Sequence, residues 1–316
     1  MDVERKDLGV LQNYELDMAF GRDENNFECT IAALAHCCEP GFFLYAEGTE
    51  YGGIVDSIES NNETKEVIYS GRTWHGILNS KVIEPDSGQA YLTVNGEANT
   101  VISALLSRMA LTDLFEASSE ASGLTIKGYK MNRYIKGYDG IMKMLKTVGA
   151  KMRITVQGGR IIISAIPVRD FTQDEEFDSD QVEFKIKKKF KTVNHLVCLG
   201  SGELEARTVI HLYADTKGNI SKVQTQFGLD EYADTYDYPN AESAEELENS
   251  GMDELKKQWE PADVSLDFDP EEDIYDVGDI VGAYDNVTQI SVSAVIGKKI
   301  VTIKDGQTTI SYKVGE

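Results

Sequence analysis

Two short stretches of this sequence combine histidine with cysteine, the residue types that bind transition metals. His36 is followed directly by Cys37 and Cys38, and His195 is followed three residues later by Cys198. Neither stretch has the second pair of ligands that completes a structural zinc site. The second stretch also alternates as a strand does, so positions i and i+3 point to opposite faces. We therefore predict no metal site and interpret the cysteines as reduced packing residues.

Carboxylates and His75 could take part in acid–base or calcium chemistry, but their arrangement is not specific. Residues 267–273 are rich in oxygen ligands but lack the central glycine of a calcium loop, which favours an acidic surface bend. His75 follows Trp74 and has no carboxylate or nucleophile in its own segment, so we interpret it as structural. The sequence contains no GxSxG, P-loop, GxGxxG or HExxH pattern. We predict no catalytic, cofactor-binding or metal-binding residue, no cofactor, and a protein that is not an enzyme.

The charge of the chain excludes one class of partner. There are 31 basic and 54 acidic residues, a net charge of −23, and such a surface repels nucleic acid. One basic cluster, Lys185 to Lys191, lies in an alternating segment. It is typical of an edge strand protected from self-pairing or of a contact between subunits, rather than of a nucleic-acid site. We therefore expect no specific nucleic-acid binding.

The distribution of apolar residues along the sequence indicates neither export nor insertion into a membrane. Residues 1–15 lack the apolar core of a signal peptide, and no apolar run approaches the roughly 18 residues of a membrane span. We expect synthesis in the cytoplasm and no membrane insertion by this chain.

The last forty residues or so define the scaffold. Residues 290–296 and 300–303 are β-rich, with a predicted break at Gly297, and Asp305-Gly306 separates the second run from residues 308–314. Asp-Gly between two such runs is a strong hairpin signal, because both turn positions favour positive φ. The chain therefore ends in an antiparallel sheet, which closes its edges most simply as a barrel.

The preceding chain alternates between two periodicities. Residues 1–85 indicate five or six short strands, and residues 101–109 and 138–148 have helical spacing. The predicted N-cap of the first helix is Asn99 or Thr100, Gly149 follows the second helix, and a hairpin turns at Gly158-Gly159. Residues 243–246 form a capping box that begins a polar helix reaching residue 259.

These elements predict an α+β, mainly β protein with three domains. We place a first small β-barrel at residues 1–90 and an α/β domain of two helices and a hairpin at residues 91–170. A second β-barrel takes residues 171–316, with a helical and loop insertion around residues 200–262.

The sequence resembles a family of tail proteins from long-tailed phages and prophages of Gram-positive bacteria. The stretches that carry the resemblance span nearly the whole chain: LGVLQNYELDMAFG, YAEGTEYGGIVDSI, GRTWHGILNSKVIEP, GGRIIISAIPVRD, VNHLVCLGSGELEARTVIHLYAD, YDYPNAES, YDVGDIVGAYDNVT and KKIVTIKDGQTTISYKVG. They are structural stretches rather than a catalytic signature.

The resemblance implies a baseplate or tail-tip hub with two tube-type barrels. Three copies would form a ring that adapts the six-fold tail tube to a three-fold tip and lets DNA pass. The implied partners are two further copies, the tail tube or a distal tail protein, and a tail spike, fibre or tip protein. The place of action would be the assembled virion tail, or a phage-derived particle. Acidic side chains along the passage would keep DNA from binding.

Two other functions remain open at this stage. A cell-wall-degrading tail-tip enzyme would need a cleft with paired carboxylates or a metal-bound water, which no spacing in this sequence indicates. A host-glycan-binding tail-tip protein would use a β surface and needs no sequence signature.

Overall fold

The computed structural model describes residues 1–173, 176–178, 184–188, 192–241, 243–259, 262–268, 274–285 and 290–314. This chain divides into two compact units. The first unit consists of Met1–Phe184 and Ser265–Glu316, and the second unit is Lys185–Val264. Strands outnumber helices in both the N-terminal and C-terminal parts, so the predicted class, α+β and mainly β, is confirmed.

The elements up to the end of the hairpin are β1 Tyr14–Gly21, β2 Asn26–Ala32, β3 Phe43–Tyr45, β4 Gly52–Asn61, β5 Glu66–Thr73, α1 Trp74–Asn79, β6 Val82–Ile83, β7 Thr93–Glu97, α2 Ala98–Arg108, β8 Phe115–Ala117, β9 Thr125–Lys130, β10 Ile135–Lys136, α3 Gly137–Lys146, β11 Ala150–Gln157 and β12 Arg160–Pro167. The later elements are β13 Glu176–Asp178, β14 Phe184–Lys188, β15 His195–Leu199, β16 Val209–Ala214, β17 Ile220–Ser221, β18 Ala233–Asp237, α4 Ala244–Gln258, β19 Ala262–Phe268, β20 Ile280–Asp285, β21 Ile290–Lys304 and β22 Gln307–Val314.

One sheet of the first unit joins the two ends of the chain. Its strands run in the order β22, β21, β1, β2, β5, β4, β3, and β1 pairs antiparallel with both β2 and β21. Alternation along β2 points Phe27, Cys29 and Ile31 into the core, as expected for a sheet with one buried face. The pairing of β1 with β21 brings together strands that the predicted domain boundaries place in different domains. The predicted division at residues 90 and 170 into separate barrels stays a prediction.

The predicted break at Gly297 is wrong. Strand β21 continues through this glycine from Ile290 to Lys304, and its pairing with β22 shifts register between Ile296 and Lys298. A glycine inside a strand often marks a bulge or a close backbone approach rather than an end. Both features are present here. The register shift is the bulge. The neighbouring strand β1 also approaches closely, because a Cβ atom added to Gly21 would lie only 2.2 Å from the carbonyl oxygen of Gly297. The hairpin at Asp305-Gly306 is confirmed, with φ of 52° and 74°.

The N-terminal region is not made of strands alone. Residues 74–79 form the short helix α1, in which the hydroxyl of Thr73 accepts a hydrogen bond from Gly76 N at 3.3 Å. Trp74 and Leu78 on this helix are completely buried in the core that also contains α2 and α3. Burial of a large aromatic side chain outweighs the weak strand propensity of this segment.

The two predicted helices and the predicted hairpin are present, but the region also contains the strands β7, β8, β9 and β10, which the sequence analysis does not predict, and one cap differs. Helices α2 and α3 pack on the sheet β11-β12-β8, and Gly149 after α3 has φ of 66°. The turn at Gly158-Gly159 has φ of 58° and 72°, as the hairpin prediction requires. The N-cap of α2, however, is Glu97 and not Asn99 or Thr100.

Asn99 lies inside α2, and its side chain forms hydrogen bonds to distant backbone groups instead of capping the helix. Its Oδ1 accepts a hydrogen bond from Ala165 N at 2.7 Å, and its Nδ2 donates to Glu120 O at 2.8 Å. The buried amide thus ties the helix to β12 and to the loop before β9. Glu97 then takes the capping position, where its Oε2 accepts from Thr100 N at 2.9 Å and its Oε1 accepts from Ser122 N at 2.8 Å.

Substitution Glu97→Ala should therefore destabilise the protein by about 1–2 kcal/mol at neutral pH, the usual loss for an N-cap. Burial favours the neutral acid, but hydrogen bonds from Ser122 and Thr100 outweigh it and lower the pKa of Glu97 to about 2. A lowered folded-state pKa means that this stabilisation is complete above the unfolded-state pKa and is lost as the pH falls toward 2. Urea unfolding at pH 7 and pH 3 measures the difference. A penalty as large at pH 3 as at pH 7, or equal to that of exposed Glu120→Ala, would contradict this account.

The second unit is a small sheet covered by one helix. Strands β17, β16, β15 and β18 lie in that order, and α4 packs on one face of them. The predicted start of α4 with Ser243 as its N-cap is confirmed, because the hydroxyl of Ser243 accepts from Glu246 N at 3.1 Å. The core contains Leu196, Cys198 and Leu212, and residues 200–262, where we predict an insertion, lie entirely in this unit.

Two predicted charged segments lie partly outside the described residues. For the basic cluster at residues 185–191 the structure describes only the backbone of β14, and for the acidic bend at residues 267–273 only the end of β19.

Candidate functional site

The histidine–cysteine stretch at residues 36–38 is arranged around a tyrosine hydroxyl. The hydroxyl of Tyr69 accepts hydrogen bonds from the backbone N–H groups of Cys37 and Cys38 at 3.0 and 3.3 Å, and it lies 2.9 Å from His36 Nδ1. Burial and the neighbouring thiols raise the pKa of Cys29 to about 12. Burial chiefly raises the pKa of Cys38 to about 11. These buried thiols stay protonated and pack rather than act as thiolates.

The second stretch is divided between two faces of its sheet, as the alternation predicts. Cys198 is buried against α4, and burial raises the pKa of its thiol to about 11. His195 lies on the other face, where its Nδ1 is 2.6 Å from Glu231 Oε1 and its Nε2 is 2.8 Å from His211 Nδ1. Among the residues that the structure describes, no group of three or more histidine, cysteine or acidic side chains is arranged to hold a metal ion.

His75 is a packing residue in the core of the first unit. Its ring stacks on Phe20 with centroids 4.4 Å apart and meets the edge of Tyr138. Burial, with a smaller contribution from the nearby Lys299 charge, lowers the pKa of His75 to about 3. The imidazole is therefore neutral at physiological pH. In the described part of the chain, no helix is long and apolar enough to cross a membrane.

A buried lysine joins the hairpin to the C-terminal sheet, and sequence reasoning missed it. Lys151 on β11 is completely buried, and its Nζ donates to Asp276 and Asp279 at 2.6 Å each. Asp279, also completely buried, accepts further hydrogen bonds from Asp276 N at 3.0 Å and Arg169 N at 2.8 Å. Lys151 lies on the face of β11 opposite the core, and the segment before β20 covers that face. The network therefore fixes the position of the C-terminal strands on the α/β part.

A second buried lysine connects β21 to the loop before β4. Lys299 is 2% exposed, and its Nζ donates to Glu50 Oε1 at 3.1 Å. The ammonium also lies 5.3 and 5.6 Å from the ring centroids of Tyr51 and Tyr312, within cation–π range. Both lysines therefore connect strands that are distant in sequence.

The solvent face of the large sheet is acidic where β1 and β2 meet. Asp17 lies directly opposite Glu28, and Glu15 on the same face is also exposed. Carboxylates directly opposite each other on paired strands repel, so the sheet gains nothing in stability from this arrangement. Their neighbours across the next strands are Thr302 and Ser70, which carry no compensating charge. An open groove of about 490 Å³ lies over this region.

The arginine in this groove is neutralised by its own partner. Arg72 donates from Nε and Nη2 to the two carboxylate oxygens of Asp56, at 2.8 and 2.7 Å, a bidentate pair. The hydrogen bonds from Arg72 hold the pKa of Asp56 below its usual value in spite of partial burial. Arg72 is therefore already paired and does not offset the acidic face, defined here as Glu15, Asp17 and Glu28.

Comparison with known proteins identifies the fold. No protein-family model matches the chain, and no curated protein matches it by sequence. The 43 kDa tail protein of prophage MuSo2 from Shewanella oneidensis matches in structure with a TM-score of 0.55 and 11% identity, over 98% of this chain and 96% of that one. Prophage tail protein gp18 from Listeria monocytogenes EGD-e matches with a TM-score of 0.52 and 12% identity, over 99% and 92%. The resemblance inferred from the sequence is thus confirmed at the level of the fold. The chain has the fold of phage and prophage tail proteins over nearly its whole length.

Proposed function

We propose that this protein is a structural component of a phage or prophage tail, placed at the tail tip or baseplate as a hub. The observation that carries the proposal is the match in fold to two prophage tail proteins along almost the full length of both chains. A match confined to one module would be compatible with a common fold reused elsewhere. An end-to-end match over several structural parts supports a shared architectural role.

In this proposal, three copies form a ring that adapts the six-fold tail tube to a three-fold tip. Its partners are the tube or a distal tail protein above and a spike, fibre or tip protein below. The ring works without catalysis, through sheet faces and loops that contact neighbouring chains. A heterologous contact of this kind closes only at a particular rotation between subunits, so the isolated chain need not form the ring.

The acidic face supplies the second part of the proposal, which is that it lines the passage for DNA. Carboxylates that neither pair with each other nor hold a cation give no stability to the sheet, but they repel a polyanion. A wall of this charge prevents phosphate binding while DNA slides past it. The net charge of the whole chain, −23, has the same sign.

The location of the protein tests the hub assignment directly. A phage or prophage that encodes this chain is given an epitope in the exposed turn at residues 86–89, and its purified particles are labelled with antibody-coated gold. We expect label at the distal end of each tail and about three copies per particle by quantitative mass spectrometry. Label along the whole tube or on the capsid, or absence of the chain from particles, would refute the hub. When the gene for this protein is deleted from the phage or prophage, the particles should lack complete tails.

A further inference from the structure

We propose that His195 and His211 bind a divalent transition metal ion of the zinc type between their imidazole rings, with Glu231 orienting the first ring. All three residues belong to the second unit, and the inference does not depend on the proposed tail function. His195 lies on β15, His211 lies on the neighbouring β16, and Glu231 directly follows the 3-10 turn Gly228–Asp230. Local spacing hides this pair, because the two histidines are sixteen positions apart.

The pairing of the two strands places both histidines on the same face of their sheet. His195 lies opposite Tyr213, and His211 precedes Tyr213 by two positions on β16, so the histidines are diagonal neighbours. Residues two positions apart on a strand point to the same face. Cys198 lies on the other face, which α4 covers. The two imidazoles therefore meet on the face away from α4, where their contact is exposed.

The hydrogen bond to Glu231 determines which nitrogen of His195 is available as a ligand. Glu231 Oε1 lies 2.6 Å from His195 Nδ1. A carboxylate accepts hydrogen bonds, so Nδ1 carries the proton and Nε2 presents a lone pair. Metal-binding histidines commonly have a carboxylate on the second nitrogen, because it fixes the ring and raises the basicity of the ligand atom. Glu231 is thus a positioning residue for the proposed site.

Two ligand atoms already face each other at nearly the required separation. His195 Nε2 is 2.8 Å from His211 Nδ1, which donates the proton of this contact. Two nitrogens bound to one tetrahedral zinc ion at about 2.0–2.1 Å are about 3.3 Å apart, so the rings need to separate by only about 0.5 Å. His211 is exposed, which permits this movement. The proton that leaves its Nδ1 is replaced by one on its Nε2, so both rings bind as neutral imidazoles.

The ligand set selects the class of metal and the strength of binding. Neutral imidazole binds Zn²⁺, Cu²⁺ and Ni²⁺, whereas Mg²⁺ and Ca²⁺ prefer oxygen ligands. The site is a pair, in keeping with the lack of any group of three or more such ligands among the described residues, so water completes the coordination shell. About half the binding free energy of a four-ligand zinc site corresponds to a dissociation constant on the order of 10 µM.

Calorimetric titration of the full-length protein with ZnCl₂ measures the site. The buffer contains excess MgCl₂, because a chain of net charge −23 attracts any divalent cation. We expect one site per chain on the order of 10 µM, which His211→Gln and His195→Gln each weaken at least about tenfold. Glu231→Gln should weaken it about tenfold and should change the ¹⁵N chemical shifts that report the tautomer of His195.

The other histidine–cysteine stretch provides the matched control. His36→Gln with Cys37→Ser removes the exposed ligands of that stretch and should leave the zinc affinity unchanged. The chain has four histidines, so their ring signals can be followed individually by NMR. Zn²⁺ should shift the ring signals of His195 and His211 and leave those of His36 and His75 in place. Circular dichroism confirms that each variant is folded.

Four results would overturn the proposal. The first is the absence of a saturable zinc site in the wild-type protein when MgCl₂ is in excess. The second is wild-type affinity in both His211→Gln and His195→Gln. The third is loss of the site in the His36→Gln, Cys37→Ser control. The fourth is a response of the His36 ring signals instead of those of His195 and His211.

Discussion

Replacement of Lys151 by methionine is expected to lower the free energy of unfolding by about 3–5 kcal/mol at neutral pH. Methionine keeps most of the volume and apolar stem of lysine but removes the ammonium. Asp279 would then be a completely buried carboxylate without a countercharge, next to the partly buried Asp276. Leaving one member of a buried pair alone is far more damaging than removing both.

The test is urea unfolding of the full chain, with Lys127→Met as the matched control at an exposed lysine. The control should change stability by less than about 0.5 kcal/mol. Adding Asp279→Asn to Lys151→Met should recover at least about half of the loss, because the amide oxygen still accepts from Arg169 N but carries no charge. A Lys151→Met protein within about 1 kcal/mol of the wild type would refute the network as described.

The same network predicts how the stability lost in the Lys151→Met variant depends on pH. Burial raises the pKa of Asp276, but the hydrogen bond and charge of Lys151 lower it by more, so the net shift is downward. The stabilisation from Asp276 is therefore present above its unfolded-state pKa and is lost as the pH falls through the folded-state value. The difference between wild type and Lys151→Met should narrow below about pH 4. A difference that widens in acid would show that the sign of this shift is wrong.

Reversing the acidic face is expected to abolish most DNA delivery by assembled particles. The variant carries Glu15→Lys, Asp17→Lys and Glu28→Lys, which places basic groups where we propose that DNA passes. Each lysine that meets a phosphate releases counterions and adds to non-specific binding, and the proposed three copies multiply the effect. Delivery per particle should fall on the order of 100-fold at low salt, and high salt should restore part of it.

The control for this prediction must change the net charge equally without touching the acidic face. Glu4→Lys, Glu63→Lys and Asp113→Lys replace exposed acids elsewhere and should leave delivery within about threefold of the wild type. Electron microscopy counts complete tails in each preparation, so that an assembly defect is not mistaken for blocked delivery. Normal delivery by the reversed variant with complete tails would eliminate the acidic face as a wall of the passage and leave the hub assignment intact.

Some features are predictable from the sequence because they depend on neighbouring residues. The turns at Gly158-Gly159 and Asp305-Gly306 and the cap at Ser243 depend on residues within a few positions, and all are confirmed. The cap of α2 was not predictable in the same way. Asn99 is a good capping residue by type, but its amide is used by Ala165 N, sixty-six positions later in the chain.

The sequence by itself determined the mainly β class, the local turns, most helix ends and a resemblance that the structural comparison bears out. Tertiary structure alone decided the pairing of β1 with β21, the continuation of β21 through Gly297, and the choice of Asp276 and Asp279 as partners of Lys151. The physical reason is the separation in sequence between the residues that determine each feature. A turn is selected by the φ values that two adjacent residues tolerate, whereas a buried ammonium among 54 acidic residues acquires its partners only when strands distant in sequence pack over it.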